Sequence, residues 1–437
     1  MQMLQVSYRR AFLRMDFVKC SLNWVLILLH MKKLLLFAGL FCYAGLLCAQ
    51  DYKKLHFKSI LVDTHNDILT QSTDDGVVFD QDLRGKTHSD LARFKQGGVD
   101  VEIFSVWSDG SYGPGKGFKR ANQQIDTLYA VIARNPDKIT LVRTPAELKK
   151  AVKQNKIAAM IGVEGGHMIE DRLDYLDSLY KRGTRYMTLT WNNSTSWATS
   201  AMDEMPGART QFDSDADAAG KAASASRKKG LNDFGKQIVR HMNEIGMMVD
   251  LSHVGEQTFW DAINTSTKPI IVSHSCVYSI APVFRNLKDE QIKAVGKNGG
   301  VIHLNFFSGF LDSGFVARNK AFNEKHKTER DSLRKTVTDP YFADNYLFQK
   351  YAEEVKVLRP PLSLLMDHLD HIVQLIGVDH VGLGSDFDGI SSAPLQLDDV
   401  TCFPLITEEL VKRGYSKKDI RKILGENFIR LFKANSK

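Results

Sequence analysis

His65-Asn66-Asp67 sets a histidine and a carboxylate two residues apart, a spacing that points both side chains the same way in an extended strand. A lone pair of this kind carries little weight. Here Glu164, His253 and His274 also fall at the ends of short apolar runs, Glu164 directly and the two histidines after one serine. Histidine and carboxylate without thiolate suit zinc, with manganese or cobalt as substitutes. If Glu164 is shared, one ion takes His65, Asp67 and Glu164, and a second takes Glu164, His253 and His274. Three protein ligands per ion leave an open position for water, as catalytic sites require. Two ions about 3.5–4 Å apart would bring that water's pKa toward about 7 and supply a bridging hydroxide. Asp386, in the turn Gly384-Ser385-Asp386-Phe387-Asp388-Gly389, is placed to take and return its proton, ahead of Asp388.

The remaining histidines in the body of the chain read more plainly. His303 alternates with apolar residues and reads as a hydrogen-bonded core residue. His167, just after Gly165-Gly166, is either a packing residue or an outer neighbour of the site. His368, His371 and His380 read as surface or packing residues on or after a late helix.

The elements that must carry these groups recur along the chain. Short β-branched runs stop abruptly on polar or glycine residues, at Ile60–Val62, Val99–Val106, Ile157–Val163, Tyr186–Thr190, Met247–Leu251, Ile270–Val272, Val301–Leu304 and Val381–Leu383. Helical patterns lie between them, over Leu173–Lys181, Asp233–Glu244, Glu256–Asn264, Asp289–Lys297 and Leu362–Leu375. Continuous apolar strands alternating with amphipathic helices imply a parallel sheet covered by helices, and eight of them imply a closed (β/α)8 TIM-like barrel. Active sites in that fold form at the C-terminal ends of the strands, which is where the His, Asp and Glu gather. A doubly wound open sheet is the alternative, but it concentrates its site at one switch point rather than on many strand ends. Insertions at about 201–230 and 309–361 follow strands, so both are expected over the active-site face as lids or walls.

With 43% hydrophobic and 25% charged residues, the 437-residue chain reads as globular. Its net charge of +7 is misleading, because residues 1–50 hold six basic side chains against Asp16 alone. The rest stands near +2, which gives no electrostatic case for a nucleic-acid partner. Met31 opens an export signal, with Lys32 and Lys33, an apolar stretch Leu34–Leu47 and the small-residue exit Cys48-Ala49-Gln50. Its 14 apolar residues fall short of the roughly 20 that span a bilayer. Cleavage is expected near Ala49, giving an exported, periplasmic or extracellular protein. A membrane anchor arises only if Cys48 is lipidated, and Leu47 is larger than the small residue that such processing prefers. Residues 1–30 read as an upstream over-extension of the frame, and 51–437 as one catalytic barrel domain. Outside the leader only Cys276 and Cys402 remain, which excludes a cysteine zinc site and leaves one disulfide possible. Homodimerisation is left open.

Five motifs, in order, resemble the renal-type membrane dipeptidases: Val62-Asp63-Thr64-His65-Asn66-Asp67, Gly162-Val163-Glu164-Gly165-Gly166-His167, Asp250-Leu251-Ser252-His253-Val254, Ser273-His274-Ser275 and Gly384–Gly389. The likeness runs from about residue 59 to the helix at Asn427–Phe432. It implies a two-zinc barrel with Glu164 bridging, Asp386 transferring the proton, and Arg285 pairing with the substrate's C-terminal carboxylate. A guanidinium is well shaped for that bidentate contact. The resemblance breaks at Trp191, in Leu189-Thr190-Trp191-Asn192-Asn193, where the family typically carries a histidine that contacts the substrate carbonyl. Oxyanion stabilisation must then come from Trp191, a zinc, Asn192 or Asn193, and losing one such donor typically costs about 10²–10³ in kcat.

The leading expectation is therefore a zinc dipeptidase with a small peptide substrate, with L,D-dipeptides included. A related two-metal amidohydrolase acting on N-acyl amino acids, lactams or lactones keeps the metals and changes the bond. A non-catalytic binding protein is the third reading, opposed by retention of all five ligands and Asp386.

Overall fold

The computed structural model describes residues 52–112, 115–204, 228–335 and 342–437. The chain divides into Met1–Lys54 and Leu55–Lys437, and the second unit carries every strand of the described residues and every candidate site residue. The expected extension over 1–30, the leader over 31–50 and most of the 201–230 insertion lie outside the described residues.

Among the described residues nine strands form, β1 (Leu61–Asn66), β2 (Val99–Trp107), β3 (Ile139–Leu141), β4 (Ile157–Glu164), β5 (Thr184–Thr188), β6 (Met248–Asp250), β7 (Ile271–Ser275), β8 (Val301–Leu304) and β9 (Val381–Leu383). Every pairing between them is parallel. A β2–β4 pairing closes the ring on eight strands, leaving β3 outside it against β4 alone. This is the expected (β/α)8 barrel, with one three-residue edge strand added.

Alternation along the strands sorts their side chains into two apolar sets. Val62, Val101, Ile103, Met160, Tyr186, Met248, Ile271 and Val301 come from seven strands yet form one cluster, which only the inside of the barrel allows. Phe428, Leu431 and Phe432 of the helix Asn427–Asn435 join that cluster and close the barrel's floor. The opposite face of the strands (Phe104, Val106, Ile161, Val163, Val249, Ile302) packs under the helical layer. Helices end where their termini are satisfied, as in Asp233–Ile245, where Asn232 accepts from Gly235 N–H and Gly246 adopts φ 88°.

The segment after β8 holds the helices Ser308–Leu311, Phe315–Lys325, Lys327–Arg334, Phe342–Lys350 and Ala352–Lys356. Phe315, Phe322, Leu347, Phe348, Val355 and Leu358 give it a small core of its own. Cys276 and Cys402 are both free thiols, so the disulfide that the sequence left possible does not form. Among the described residues, no helix is long and apolar enough to cross a membrane.

Candidate metal centre

His65 and Asp67 stand at the end of β1 and just beyond it, Glu164 at the end of β4, His253 after β6, His274 within the last turn of β7, and Asp386 after β9. His65 Nε2 lies 3.4 Å from Asp67 Oδ2, 3.4 Å from Glu164 Oε2 and 4.0 Å from Asp386 Oδ1. The other Glu164 oxygen, Oε1, lies 2.8 Å from His253 Nε2 and 3.3 Å from His274 Nε2. One carboxylate thus offers one oxygen to each half of the cluster. All six residues share one pole of the barrel, as their strand-end positions led us to expect.

The outer nitrogens explain why three imidazoles converge. The Tyr186 hydroxyl donates to Thr64 O at 3.0 Å, so its oxygen accepts the His65 Nδ1–H at 2.8 Å. The Ser273 hydroxyl donates to Asp250 Oδ2 at 2.6 Å and accepts the His274 Nδ1–H at 2.8 Å. Asn192 Oδ1 accepts the His253 Nδ1–H at 3.0 Å. This network assigns each ring its proton on Nδ1 and turns three Nε2 lone pairs inward. His65 Nε2 is buried without a hydrogen-bond partner among the described residues, and the Nε2 atoms of His253 and His274 stand 3.0 Å apart. Lone pairs facing one another around a carboxylate fit a divalent cation. The site is well suited to one, with nitrogen and oxygen donors and no thiolate. His65, Glu164 and His274 offer ligand atoms all within 4.8 Å of one another, as do His65, Asp67 and Asp386.

Electrostatics keep two of the three rings neutral. Burial lowers the His253 pKa to about 3, helped by the Arg285 charge, so its ring is neutral. His274 is held well below the usual range by burial and by His65. Burial opposes the charge of Glu164, but His65, His253 and His274 outweigh it and hold its pKa well below the carboxylate range. Burial likewise opposes a charge on His65, yet Tyr186, Glu164 and Asp67 outweigh it and raise that ring well above the usual range, so positive charge is favoured where these carboxylates meet. Asp386 is pushed well above that range by burial, against the pull of His65 and with the repulsion of Asp67 and Glu164. A cation among these groups would relieve the repulsion.

Two candidate residues sit in unusual backbone. His253 and Asp386 both have φ of 62°, a left-handed conformation that is costly for non-glycine residues and clusters at functional sites. Asn305 Nδ2 donates to Asp386 Oδ2 at 2.7 Å, leaving Oδ1 as the oxygen nearest the cluster. Asp388 is instead committed to the loop before the helix Leu91–Gln96, accepting from His88 N–H at 2.6 Å and from the Ser89 hydroxyl.

Arg285 is buried beside the cluster, its Nη1 3.4 Å from Ser275 Oγ and Nη2 3.3 Å from His274 O. Its Nε has no partner among the described residues. Burial lowers its pKa to about 10, which leaves it charged at neutral pH. A cavity of about 260 Å³ connects Arg285 with His253, Ser275 and Tyr278. Trp191 places its ring 6.3 Å from that of His253. Asn192, expected toward substrate, has its amide oxygen occupied by His253.

Sequence reasoning passed over Tyr186, Ser273, Asp250 and Asn305. Tyr186 reads as an ordinary strand aromatic, and its one external signal is Gly162 on the neighbouring strand. A Cβ there would lie 2.0 Å from the Tyr186 ring. His303 is buried with Nδ1 3.1 Å from Val272 O, as a core histidine should be. His368 is a packing residue, bonded to Val277 N and Leu311 O. His167 contacts Ser108, His371 contacts Asp289 and His380 contacts Gly300 O.

A closed β/α barrel with such a cluster at its mouth defines a class, the metal-dependent barrel hydrolases. The family model for membrane dipeptidase (peptidase family M19) matches residues 49–437. The chain belongs to the membrane dipeptidase family, and it is a metal-dependent dipeptidase. Among solved structures, the probable dipeptidase PvdM from Pseudomonas aeruginosa is similar at 22% identity and a TM-score of 0.70, covering 89% of this chain and 98% of that one. A metallopeptidase from Rhodobacter sphaeroides, liganded with a phosphinate mimic of the dipeptide L-Ala-D-Ala, shares 22% identity with a TM-score of 0.68 over 86% and 99% of the two chains. An amidohydrolase from Pseudomonas aeruginosa matches at 22% identity and a TM-score of 0.63 over 88% and 98%. These likenesses concern the fold.

Proposed function

We propose that the enzyme holds two zinc ions, one on His65, Asp67 and Glu164 and one on Glu164, His253 and His274. The observation that carries this is the convergence of three Nε2 lone pairs on the two oxygens of Glu164. Bound there, the ions would supply Lewis acidity toward the scissile carbonyl and would acidify water toward neutral pH.

The chain's own residues do the rest. Arg285, charged and with a free Nε, clamps the C-terminal carboxylate of the dipeptide. Asp386 takes the proton of the attacking water on Oδ1 and passes it to the leaving amine nitrogen, while Asn305 holds Oδ2 still. Trp191 and the amide nitrogen of Asn192 line the approach to the carbonyl. The substrates include L,D-dipeptides, a reading supported by the L-Ala-D-Ala mimic bound in the Rhodobacter relative. The protein is exported, its leader ending near Ala49. An N-acyl amino acid is the second reading, favoured by Trp191 standing where the family resemblance implies a histidine.

The test is hydrolysis of an L,L- and L,D-dipeptide panel, with N-acetyl amino acids alongside, by zinc-loaded protein from Asp51 onward. Glu164→Ala serves as the control. Zinc-dependent dipeptide cleavage that the control lacks is the expected result. Cleavage of N-acetyl amino acids alone would move the assignment to the second reading.

A further inference from the structure

Two indoles stand together at the barrel mouth. Trp107 ends β2, and its Cα is the register partner of Glu164. Trp191 follows β5, and the two rings meet edge to face, with centroids 5.1 Å apart and planes at 69°. Both side chains are only half-buried, and Trp191 stands 6.3 Å from the His253 ring, which sets this apolar wall beside the cluster. Around the ring the strands run β1, β2, β4, β5, β6, β7, β8, β9, which sets β2 opposite β7. Arg285 lies at the end of β7, bonded to His274 O and Ser275 Oγ. Trp107 and Arg285 therefore occupy opposite rims, with Glu164 and the histidines between them.

A dipeptide whose carboxylate meets Arg285 and whose scissile carbonyl lies over Glu164 extends its N-terminal residue toward the indoles. An apolar side chain there leaves water against two rigid aromatic faces, whereas a glycine leaves those faces wet. We propose that Trp107 and Trp191 form the subsite for the N-terminal side chain and make dipeptides with a large apolar N-terminal residue, leucine or phenylalanine, the preferred substrates. The inference rests on the dipeptidase reading and its Arg285 clamp.

The test compares kcat/KM for Leu-Ala, Phe-Ala and Gly-Ala, and for Ala-Leu and Ala-Gly, in the zinc-loaded wild type, Trp107→Ala, Trp191→Ala and Trp107→Phe. The wild type should prefer Leu-Ala and Phe-Ala over Gly-Ala by about tenfold or more. Each alanine variant should erase most of that ratio, Trp107→Phe should keep it, and the Ala-Leu to Ala-Gly ratio should stay put. Calorimetric binding of phosphinate dipeptide analogues with leucine or glycine at the N-terminal position gives the same comparison on wild-type protein, without turnover and without a variant. Dipeptides cleaved with no N-terminal preference, or a tryptophan variant that shifts only the C-terminal ratio, would overturn the inference and leave the dipeptidase reading standing. Failure to cleave any dipeptide or bind any phosphinate would overturn both.

Discussion

The Nε2 atoms of His253 and His274 face each other at 3.0 Å, and both point at the same oxygen of Glu164. Each ring already has its Nδ1 proton bonded elsewhere, to Asn192 and to Ser273. Two lone pairs held this close repel unless a cation sits among them. Removing the metal with a chelator should therefore lower Tm by several degrees, since a ligand at 100 times its Kd contributes about 2.7 kcal/mol. Glu164→Gln should bind less metal and lose most of that sensitivity. Thermal scans with and without chelator, paired with elemental analysis, check both; a variant that keeps full metal content would contradict the role given to Glu164.

Tyr186 reaches His65 from inside the barrel, and Tyr186→Phe removes only its hydroxyl. Loss of the group that fixes a ligand ring typically weakens metal affinity by about 10–100-fold. Ser273→Ala should act on His274 in the same way. Titration with a chromophoric chelator measures this without substrate; unchanged affinity in both variants would show that these bonds do not set the metal site.

Asp386→Asn keeps the shape of the group and the contact region of Asn305 but cannot carry a proton at neutral pH. Its kcat should fall by about 10²–10⁴ while metal content is retained. Asn305→Ala should lower kcat less, with a small change in KM, because it frees the carboxylate rather than removing it. Near-normal turnover by Asp386→Asn would sink its proton-transfer role.

Glu102 is fully buried under the helical layer, and neither of its carboxylate oxygens has a partner among the described residues. Burial, then Asp63 and Asp388, push its pKa well above the carboxylate range. The folded protein therefore keeps a proton that the unfolded chain gives up above its ordinary value of 4.5, and stability falls as pH rises beyond that point. Glu102→Gln removes this loss. Its Tm should exceed wild type at pH 7, by a margin on the order of 1–3 kcal/mol in stability, and match it near pH 4. Scans of chelated protein across that range decide it; a gain that persists unchanged at pH 4 would point to a packing effect instead.

The candidate metal ligands were legible because parallel strands buried on both faces read as apolar runs, so a histidine or carboxylate at the end of one stands out. His65, Glu164, His253 and His274 were found that way, and so was the barrel that gathers them. Tyr186 was not, because a tyrosine inside an apolar strand looks like core until its hydroxyl is seen between Thr64 and His65. Asn192 follows a strand as a substrate-facing residue would, and only the turn after β5 shows its amide against His253. The left-handed backbone of His253 and Asp386 carries no residue-type signal, since neither is a glycine. β3 escaped notice because three residues hold too short an alternation to read.

The floor of the barrel is built from Phe428, Leu431 and Phe432, while its wall is sealed by the pairing of Asp63 with Leu383. Residues far apart in the chain must therefore meet before either end of the lumen is shut. Contacts of such long sequence separation form slowly, since the loop they close is ordered before they contribute. His65 and Asp67 emerge from the ribosome early, yet they acquire their walls only after the last helix has been made. Metal capture at the proposed site would in this sense be a terminal event of biosynthesis, and a chain stopped between Asp386 and Phe428 would carry every proposed ligand without the closed barrel that assembles them.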